Sequence, residues 1–405
     1  MSKVYPSNLT KEEIMSKNCL VCQSEHLREV FKVNALPLVQ TPINDLNVSE
    51  IFGDLDIVQC QHCSLIYNRA FNSAMLNKIY TENYSSGIPN TPKMLEKFQK
   101  IIDETILKKN IKNQCAMEIG ASDFAFSELL LERGASKVIA FEPSNLFQPE
   151  DPRIHHVNGL FSPGKIPGNP EEIGLIVMRH VLEHIPEPIN VIKQIASIAQ
   201  RGLKLYIEVP NAKDIIENKR FYEFFYEHVT YFSPELLTKI LKKYGFTTHT
   251  VNYLVNGQHF GILCEKTEAV TSEPLVIEPV EALPDVEGFK TYTERFLQKL
   301  HEVINSYDKI AIYGAGAHGI GVASFLEIDN KQVECFLDLN QMKAGKYSPK
   351  THIPITIPDK EKLQKLDAIV IIAPLHQDAI AADLRGKFAF TKDIWGTYPD
   401  VFKVD

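Results

Sequence analysis

The chain has 405 residues, which is more than one domain usually holds, so two or three domains are expected. Hydrophobic residues make up 44% and charged residues 23%, as in ordinary soluble globular proteins, and a core of that size needs no disulfides. The formal net charge of −8, without long basic runs, argues against binding to nucleic acid or to an anionic membrane surface.

The first residues, MSKVYPSNLTKEEIMSK, contain no hydrophobic signal segment. No apolar run approaches the roughly 20 residues that span a bilayer. The expected location is therefore the cytoplasm. In that reducing compartment the seven cysteines are expected to be metal ligands or buried thiols and not disulfides.

The first segment, residues 1–90, contains two C-x-x-C pairs. Cys19 and Cys22 form the first pair, and Cys60 and Cys63 form the second. Each such turn directs two thiolates at one point, so two turns complete a tetrahedron around zinc. Because protein ligands would fill all four positions, the expected zinc is structural and not catalytic. We therefore predict a zinc-binding domain; the alternative is four unrelated buried cysteines.

The second segment, residues 91–265, begins with a strand over 115–119 that runs into a turn at Gly120. A helix is predicted over 126–132, and the next strand ends in Glu142. A glycine turn after the first strand lets a ligand approach the backbone. An acidic residue at the end of the second strand is placed to bind ribose hydroxyls.

Polar residues also follow a later apolar strand of the same segment. GLIVMRHVLEHIPEP leaves His180, Glu183 and His184 just past the strand. Strands that alternate with helices predict a largely parallel, doubly wound sheet, in which ligands bind beyond the carboxyl ends of the strands. Gly120 and Glu142 fall at such ends, as do the two histidines, so we expect them to share one site.

Two further segments complete the chain. Residues 266–285 are rich in Pro, Glu and Val and are predicted to be an extended linker. From 286 to 405, a helix-like stretch precedes KIAIYGAGAHGIGVASFLEI and QVECFLDLN. These read as strand, G-x-G-x-x-G turn, helix and a strand that ends at Asp338, which predicts a second Rossmann-like unit.

The order and spacing of these landmarks resemble those of the three-domain S-adenosylmethionine-dependent sugar C-methyltransferases. The resemblance covers nearly the whole chain through the C-x-x-C pairs, VLEHIPEP, IEVPN, YEHVTYFS and YGAGAHG…DLNQMKAGKYSPKTHIPI. It implies an α/β fold: an N-terminal zinc-binding domain, a class I methyltransferase Rossmann-like core and a second, C-terminal Rossmann-like domain. It also implies methylation of a carbon of a nucleotide-linked keto-sugar, with S-adenosyl-L-methionine and Zn²⁺ as cofactors. We expect a monomer or a small homo-oligomer.

The resemblance also implies where the cofactor binds. Its methionine part would lie along the turn after the first strand of the core and its ribose at Glu142. The NGLF stretch, residues 158–161, would lie near its adenine. The predicted cofactor contacts are Glu118, Gly120, Ser122, Glu142, Phe161 and His180.

The catalytic residues are predicted in the aromatic run FFYEHVTYF and after the strand that precedes it. Methylating a carbon next to a carbonyl needs a base that removes the proton there, and the enolate then attacks the sulfonium methyl. Imidazole, with a pKa near ~6.5, is the natural base, and a carboxylate can orient it. Donors near the carbonyl oxygen stabilise the developing charge. We predict His228 as the base, Glu227 as its helper or a ligand of sugar hydroxyls, and His184 and Tyr226 as donors.

The chain departs from the family pattern at this site. Family members carry a Tyr-His-Glu-His run where this chain has Phe225, Tyr226, Glu227 and His228, so the tyrosine hydroxyl is missing. A glycine is usual at the position of Phe124, where a bulky side chain is expected to crowd the cofactor. A different substrate or weakened catalysis would explain both changes.

Two alternatives therefore stay open. The first is a non-catalytic, zinc-bearing scaffold that binds a nucleotide-sugar or the sulfonium cofactor without turnover. The second is an NAD-binding protein that uses the turn of Gly314, Gly316 and Gly319, with Asp338 at the ribose.

Overall fold

A computed structural model of the protein describes residues 17–47, 50–73, 92–106, 113–269, 276–279 and 284–404. The strands, in chain order, are β1 (Leu27–Pro37), β2 (Phe52–Cys60), β3 (Ile66–Asn68), β4 (Cys115–Ile119), β5 (Lys137–Glu142), β6 (Ile154–Asn158), β7 (Ile173–Arg179), β8 (Lys204–Pro210), β9 (Thr230–Tyr231), β10 (Phe246–Leu254), β11 (His259–Lys266), β12 (Ile310–Tyr313), β13 (Cys335–Leu337), β14 (Ile355–Thr356), β15 (Ala368–Ile371), β16 (Asp393–Gly396) and β17 (Phe402–Val404). The α-helices are α1 (Pro92–Ile101), α2 (Ala125–Glu132), α3 (Pro188–Ile198), α4 (Ala212–Glu217), α5 (Pro234–Lys243), α6 (Val286–Asn305), α7 (Ala317–Phe325), α8 (Lys360–Gln364) and α9 (Gln377–Gly386). Within these described ranges, none of the helices is both long enough and apolar enough to cross a membrane.

The N-terminal sheet is antiparallel and has the strand order β1-β2-β3-β9. Its last strand comes from the middle of the chain, where Tyr231 pairs with Ile66 and Thr230 pairs with Tyr67. The division predicted at residue 90 lies outside the described residues. Because β9 belongs to the second segment, that segment completes the sheet of the first.

The central sheet has seven strands in the order β10-β11-β8-β7-β4-β5-β6. Strands β4 to β8 are parallel, whereas β11 runs antiparallel to both of its neighbours. The strand order reverses between β4 and β7, and ligands of open α/β sheets bind at such a point. This is the class I methyltransferase Rossmann-like fold that the sequence predicts, and β4 has the predicted bounds.

Local signals explain the helix ends in the central unit. Pro234 occupies the first position of α5, and the Ser233 hydroxyl accepts the Leu236 N–H at 3.1 Å, as an N-cap does. Gly245 follows this helix with a left-handed backbone. Of the predicted linker 266–285, residues 270–275 and 280–283 lie outside the described residues.

The C-terminal sheet has the order β14-β13-β12-β15-β16-β17 and is parallel except for β17. The predicted strand, glycine turn and helix are present as β12, the turn at Gly314 and α7. A Cβ atom on Gly319 would lie 1.9 Å from the Gly314 carbonyl oxygen, so only glycine lets α7 pack this closely on the turn. The predicted second Rossmann-like domain is confirmed.

One hydrophobic cluster joins the N-terminal sheet, helix α4 and the C-terminal unit around the aromatic stretch, which we define as residues 220–232. Phe31 of β1 packs against Phe224 with ring centroids 5.8 Å apart. Phe221 packs against Phe296 of α6 at 5.1 Å. Burial of these rings stabilises each contact by the ordinary hydrophobic effect. The aromatic stretch is therefore held by side chains from the N-terminal sheet and from the C-terminal unit.

Candidate active site

A cavity of about 600 Å³ opens at the carboxyl ends of β4, β5 and β7, beside the point where the strand order reverses. It lies where the sequence predicts a ligand site. Of the residues predicted to contact cofactor or substrate, those that line it are Glu118, Gly120, Ser122, Glu142, Phe161, His180, His184 and Glu227.

The turn after β4 is shaped by one glycine and holds one carboxylate. Gly120 has a φ of +79°, and a Cβ atom there would lie 2.3 Å from a methyl carbon of Val181. The backbone N–H groups of Ser122 and Ser144 donate to the two carboxylate oxygens of Glu142, each at 2.8 Å. Each oxygen keeps further acceptor capacity, so the carboxylate is fixed in place and still able to accept from hydroxyl groups of a ligand.

Glu118 is a buried carboxyl group in the floor of the cavity. The Ser127 hydroxyl donates to it at 2.5 Å. Burial raises the pKa of Glu118 to about 7. This group therefore sits near its point of ionisation at neutral pH, and a cation bound in the cavity would favour the carboxylate.

A network around buried Glu208 forms a wall that the sequence did not predict. Lys97 Nζ lies 2.7 Å from one carboxylate oxygen, and Arg179 Nε lies 2.8 Å from the other. Burial by itself raises the pKa of Glu208, but Arg179, His180 and Lys97 outweigh it and hold the pKa well below its usual range. Lys97 reaches the site from α1 across 111 residues of sequence, so no local motif indicates its role.

His180 follows β7 with a left-handed backbone, φ +52°. Its Nε2 lies 3.2 Å from Glu208 and its Nδ1 lies 3.3 Å from Glu183. Burial lowers the pKa of His180, but the carboxylates of Glu208 and Glu183 outweigh that effect and raise the pKa to about 9. At neutral pH this side chain is a fixed cation in the cavity wall and not a base.

His184 and His228 form a pair at the other side of the cavity. Nδ1 of His184 donates to the backbone carbonyl of Glu227 at 2.9 Å. The rings of His184 and His228 meet edge to face, with centroids 4.7 Å apart. His184 lines the cavity, and His228 stands beside it, outside the set of described residues that form the lining.

The electrostatics of this pair keep His228 in its neutral form. Burial, and then the charge of neighbouring histidines, holds the pKa of His228 well below its usual range. The imidazole is therefore neutral and carries a lone pair. Burial also raises the pKa of Glu227, whose carboxyl group lines the cavity.

The structure does not support the donor role predicted for Tyr226. Its hydroxyl accepts the Asn72 N–H at 3.2 Å, and its ring lies where a Cβ atom on Gly53 would be, inside the N-terminal sheet. The ring of the neighbouring Phe225 contacts the His228 ring instead, with ring centroids 5.2 Å apart. The reason is a turn closed by the His228 N–H and the Phe225 carbonyl, which turns Tyr226 away from the cavity.

The crowding expected from Phe124 does not occur. Its ring is fully buried and packs edge to face on His156, with ring centroids 5.0 Å apart. Phe124 is not among the described residues that line the cavity. Its backbone is left-handed, with a φ of +63°, at the N-terminus of α2. That conformation explains why glycine suits this position, since a left-handed residue costs little only without a side chain.

Replacing Phe124 with Gly should lower the free energy of unfolding by about 2–4 kcal/mol. Loss of a buried phenylalanine costs about 3–5 kcal/mol, and relief of the left-handed backbone returns about 1 kcal/mol. Denaturant unfolding measures the change. Because the ring points away from the cavity, cofactor affinity should stay constant; tighter cofactor binding by the variant would show that the ring does crowd the site.

The C-terminal domain contacts the aromatic stretch next to the histidine pair. His318, in the first turn of α7, stacks on the Phe225 ring with ring centroids 6.1 Å apart. Its Nε2 lies 3.2 Å from the Glu223 carboxylate. The first turn of α7 therefore contacts the aromatic stretch.

The four cysteines predicted as metal ligands lie together. The Sγ atoms of Cys19 and Cys63 are 3.5 Å apart, as are those of Cys22 and Cys60, and all four lie within 4.8 Å of one another. Four thiolates at about 2.3 Å from a zinc ion stand about 3.8 Å apart, so the cluster has the size of a tetrahedral zinc site. The Val21 N–H donates to Cys19 Sγ, which orients that ligand.

Comparisons with known proteins agree with this architecture. Residues 93–251 match the model of a methyltransferase domain, and residues 285–391 match that of a C-methyltransferase C-terminal domain. The chain is 21% identical to the C-methyltransferase NovU of Streptomyces niveus over 383 residues. This alignment covers 88% of this chain and 89% of NovU.

Solved structures give weaker likenesses. Magnesium protoporphyrin IX methyltransferase from Synechocystis PCC 6803, with bound SAM, is 12% identical over 48% of this chain and 94% of its own, with a TM-score of 0.36. Human N-acetylserotonin methyltransferase, in complex with SAM, is 13% identical over 48% of this chain and 60% of its own, with a TM-score of 0.35. From its strand order and family matches, the chain contains a class I methyltransferase domain followed by a C-methyltransferase C-terminal domain.

Proposed function

We propose that the protein is an S-adenosylmethionine-dependent C-methyltransferase that acts on a nucleotide-linked keto-sugar through a base-generated enolate. The observation that carries this proposal is the position of a neutral, partly buried histidine, His228, beside a cavity built on a glycine turn and a backbone-held carboxylate. The turn and carboxylate suit a nucleoside cofactor, and the histidine suits proton abstraction from carbon.

The cavity offers a distinct group for each part of the cofactor. Glu142 would accept from the ribose hydroxyls, and Phe161 would lie near the adenine. Glu118, Gly120 and Ser122 would lie along the methionine part. When bound, S-adenosylmethionine supplies the methyl group as a sulfonium, an electrophile for a carbon nucleophile.

The histidine pair would divide the chemistry. His228 would take the proton from the carbon next to the keto group. His184 already donates Nδ1–H to the Glu227 carbonyl, so its Nε2 can donate to the developing enolate oxygen only as an imidazolium. The carboxyl group of Glu227, a residue that lines the same cavity, would interact with that charge. The cysteine cluster would hold a structural zinc and take no part in the reaction.

The NAD-binding alternative is less well supported. Asp338 accepts the Ala315 N–H at 3.1 Å, and Lys343 Nζ lies 2.8 Å from the same oxygen. Lys343 neutralises the carboxylate that would have to bind the ribose. In the scaffold alternative the same cavity binds the same ligands without turnover. Only a demonstrated methylation reaction can therefore exclude that alternative.

Two measurements test the proposal. Calorimetry with S-adenosylmethionine, S-adenosylhomocysteine and NAD in turn should show binding of the first two alone. Mass spectrometry of nucleotide-linked keto-sugars incubated with S-adenosylmethionine should show a gain of one methyl group on carbon. Binding of NAD alone would overturn the proposal, and binding without methylation of any tested sugar would favour the scaffold.

Replacing Glu142 with Ala should weaken S-adenosylhomocysteine binding by about 1–3 kcal/mol, the usual effect of losing a charged hydrogen-bond acceptor. The matched control is Asp338→Ala, which removes the acidic residue at the equivalent place in the C-terminal domain. Calorimetry should show no change for that control. Unchanged affinity for Glu142→Ala would mean that the ribose binds elsewhere.

A further inference from the structure

Two buried polar atoms next to the site have no hydrogen-bond partner among the described residues. They are Oε2 of Glu183 and Nδ1 of His228. Glu183 is fully buried, and ligand atoms of Glu183, His184 and His228 all lie within 4.8 Å of one another. Leaving a buried polar group without a hydrogen-bond partner destabilises the folded state, so an open carboxylate oxygen near an open imidazole nitrogen needs an explanation.

We propose that Glu183 is a positioning residue for His228. With substrate in the site, its Oε2 accepts the Nδ1–H of His228, directly or through one water molecule. This fixes the tautomer that presents the Nε2 lone pair to the substrate carbon. The inference rests on the proposed function, because it gives His228 the role of base.

The surroundings hold Glu183 in place for this role. Its other carboxylate oxygen, Oε1, lies 3.3 Å from Nδ1 of His180, and Nε2 of His180 lies 3.2 Å from Glu208. Its backbone carbonyl accepts the Val229 N–H at 2.7 Å, which ties it to the residue after His228. One oxygen is therefore anchored, and the other is left for His228.

The chemistry of the step requires such a partner. When His228 takes the proton from the sugar carbon, the electron pair of the C–H bond passes to the enolate and the imidazole becomes an imidazolium in poorly solvated surroundings. Burial disfavours that charge, and a carboxylate in contact with the opposite ring nitrogen offsets the cost. A poorly solvated histidine without such a carboxylate would be a poor base.

A divalent metal ion is the competing occupant. Two histidines and one carboxylate are a common ligand set for such ions. His180, Glu208 and His259 form a second group of the same composition, but Glu208 is already paired with Arg179 and Lys97. The test must therefore separate a positioning carboxylate from a metal ligand.

The first experiment measures proton removal apart from methyl transfer. Exchange of deuterium from solvent into the carbon next to the carbonyl is followed by NMR, with saturating S-adenosylhomocysteine and a panel of dTDP-, UDP- and GDP-linked 4-keto-6-deoxyhexoses. Glu183→Gln should slow the exchange about 10²-fold and leave S-adenosylhomocysteine affinity unchanged. The matched control is Asp56→Asn, which removes a carboxylate of the N-terminal sheet that is only 2% exposed. This variant should catalyse deuterium exchange into the substrate at the wild-type rate.

The outcomes separate the two proposals. No exchange by the wild-type protein would count against the proposed function itself. Wild-type exchange that Glu183→Gln leaves unchanged would overturn only the role of Glu183.

A second measurement does not depend on how the variant folds. In ¹⁵N spectra of the histidine-labelled wild-type protein with S-adenosylhomocysteine and substrate, His228 should be protonated on Nδ1. Protonation on Nε2 alone would overturn the inference. So would tight binding of one equivalent of Co²⁺ that shifts the His184 and His228 signals and raises the exchange rate, because Glu183 would then be a metal ligand.

Discussion

Replacing His228 with Ala should lower turnover by about 10²–10⁴-fold, the usual contribution of a general base. Cofactor affinity should barely change, because the base acts on the acceptor and stands beside the described lining of the cavity. His228→Asn should be nearly as poor, since an amide keeps hydrogen bonds but cannot take the proton. Steady-state kinetics together with calorimetry measure both effects.

The pH profile adds a second check on His228. Its pKa is held well below the usual value, so its neutral form persists at pH values where an exposed histidine is already protonated. The loss of turnover that comes from protonating this base should therefore appear well below pH 6.5. His155→Ala, which removes an exposed histidine of β6, is the matched control and should keep full activity. Full activity of His228→Ala would show that the aromatic stretch borders the chemistry without performing it.

Replacing Cys60 with Ser should release the zinc and destabilise the protein by up to about 10 kcal/mol, since binding free energy at a four-thiolate site is folding free energy. Cys60 is fully buried at the end of β2, where its loss disrupts the cluster and the strand together. Elemental analysis should find one zinc per wild-type chain and less than one in the variant, and calorimetric unfolding should show the loss of stability.

The effect of Cys60→Ser should also extend beyond the N-terminal sheet. Strand β9 pairs with β3 and leads out of the stretch that holds His228, so unravelling of the sheet should disturb catalysis as well. Cys335→Ser, a change in β13 outside the cluster, should keep the zinc and the activity. Wild-type protein purified without chelators that contains no zinc would refute the assignment of the cluster.

Local signals in the sequence determined much of the fold and half of the site. Hydrophobic runs and turn residues predicted the strand 115–119 and the turn at Gly120, and the position of Glu142 at a strand end predicted its carboxylate in the site. The C-x-x-C pairs likewise predict their own convergence, because each pair is a compact turn and two turns make one tetrahedral cluster. Such features depend on residues that are neighbours in sequence, and physical chemistry constrains them before the chain folds.

Only the tertiary structure decided how distant residues meet. Lys97 reaches Glu208 from α1, and Glu183 lies beside His228 although 45 positions separate them in sequence. The direction of Tyr226 depends on a turn and on space left by Gly53 in another sheet, neither of which the run FFYEHVTYF contains. Burial and charge from several segments together place the pKa of His228 and that of His180 on opposite sides of neutrality. Those properties are sums over neighbours in space, so the sequence named the candidate residues, while the packing around them decided which histidine is neutral and which is charged.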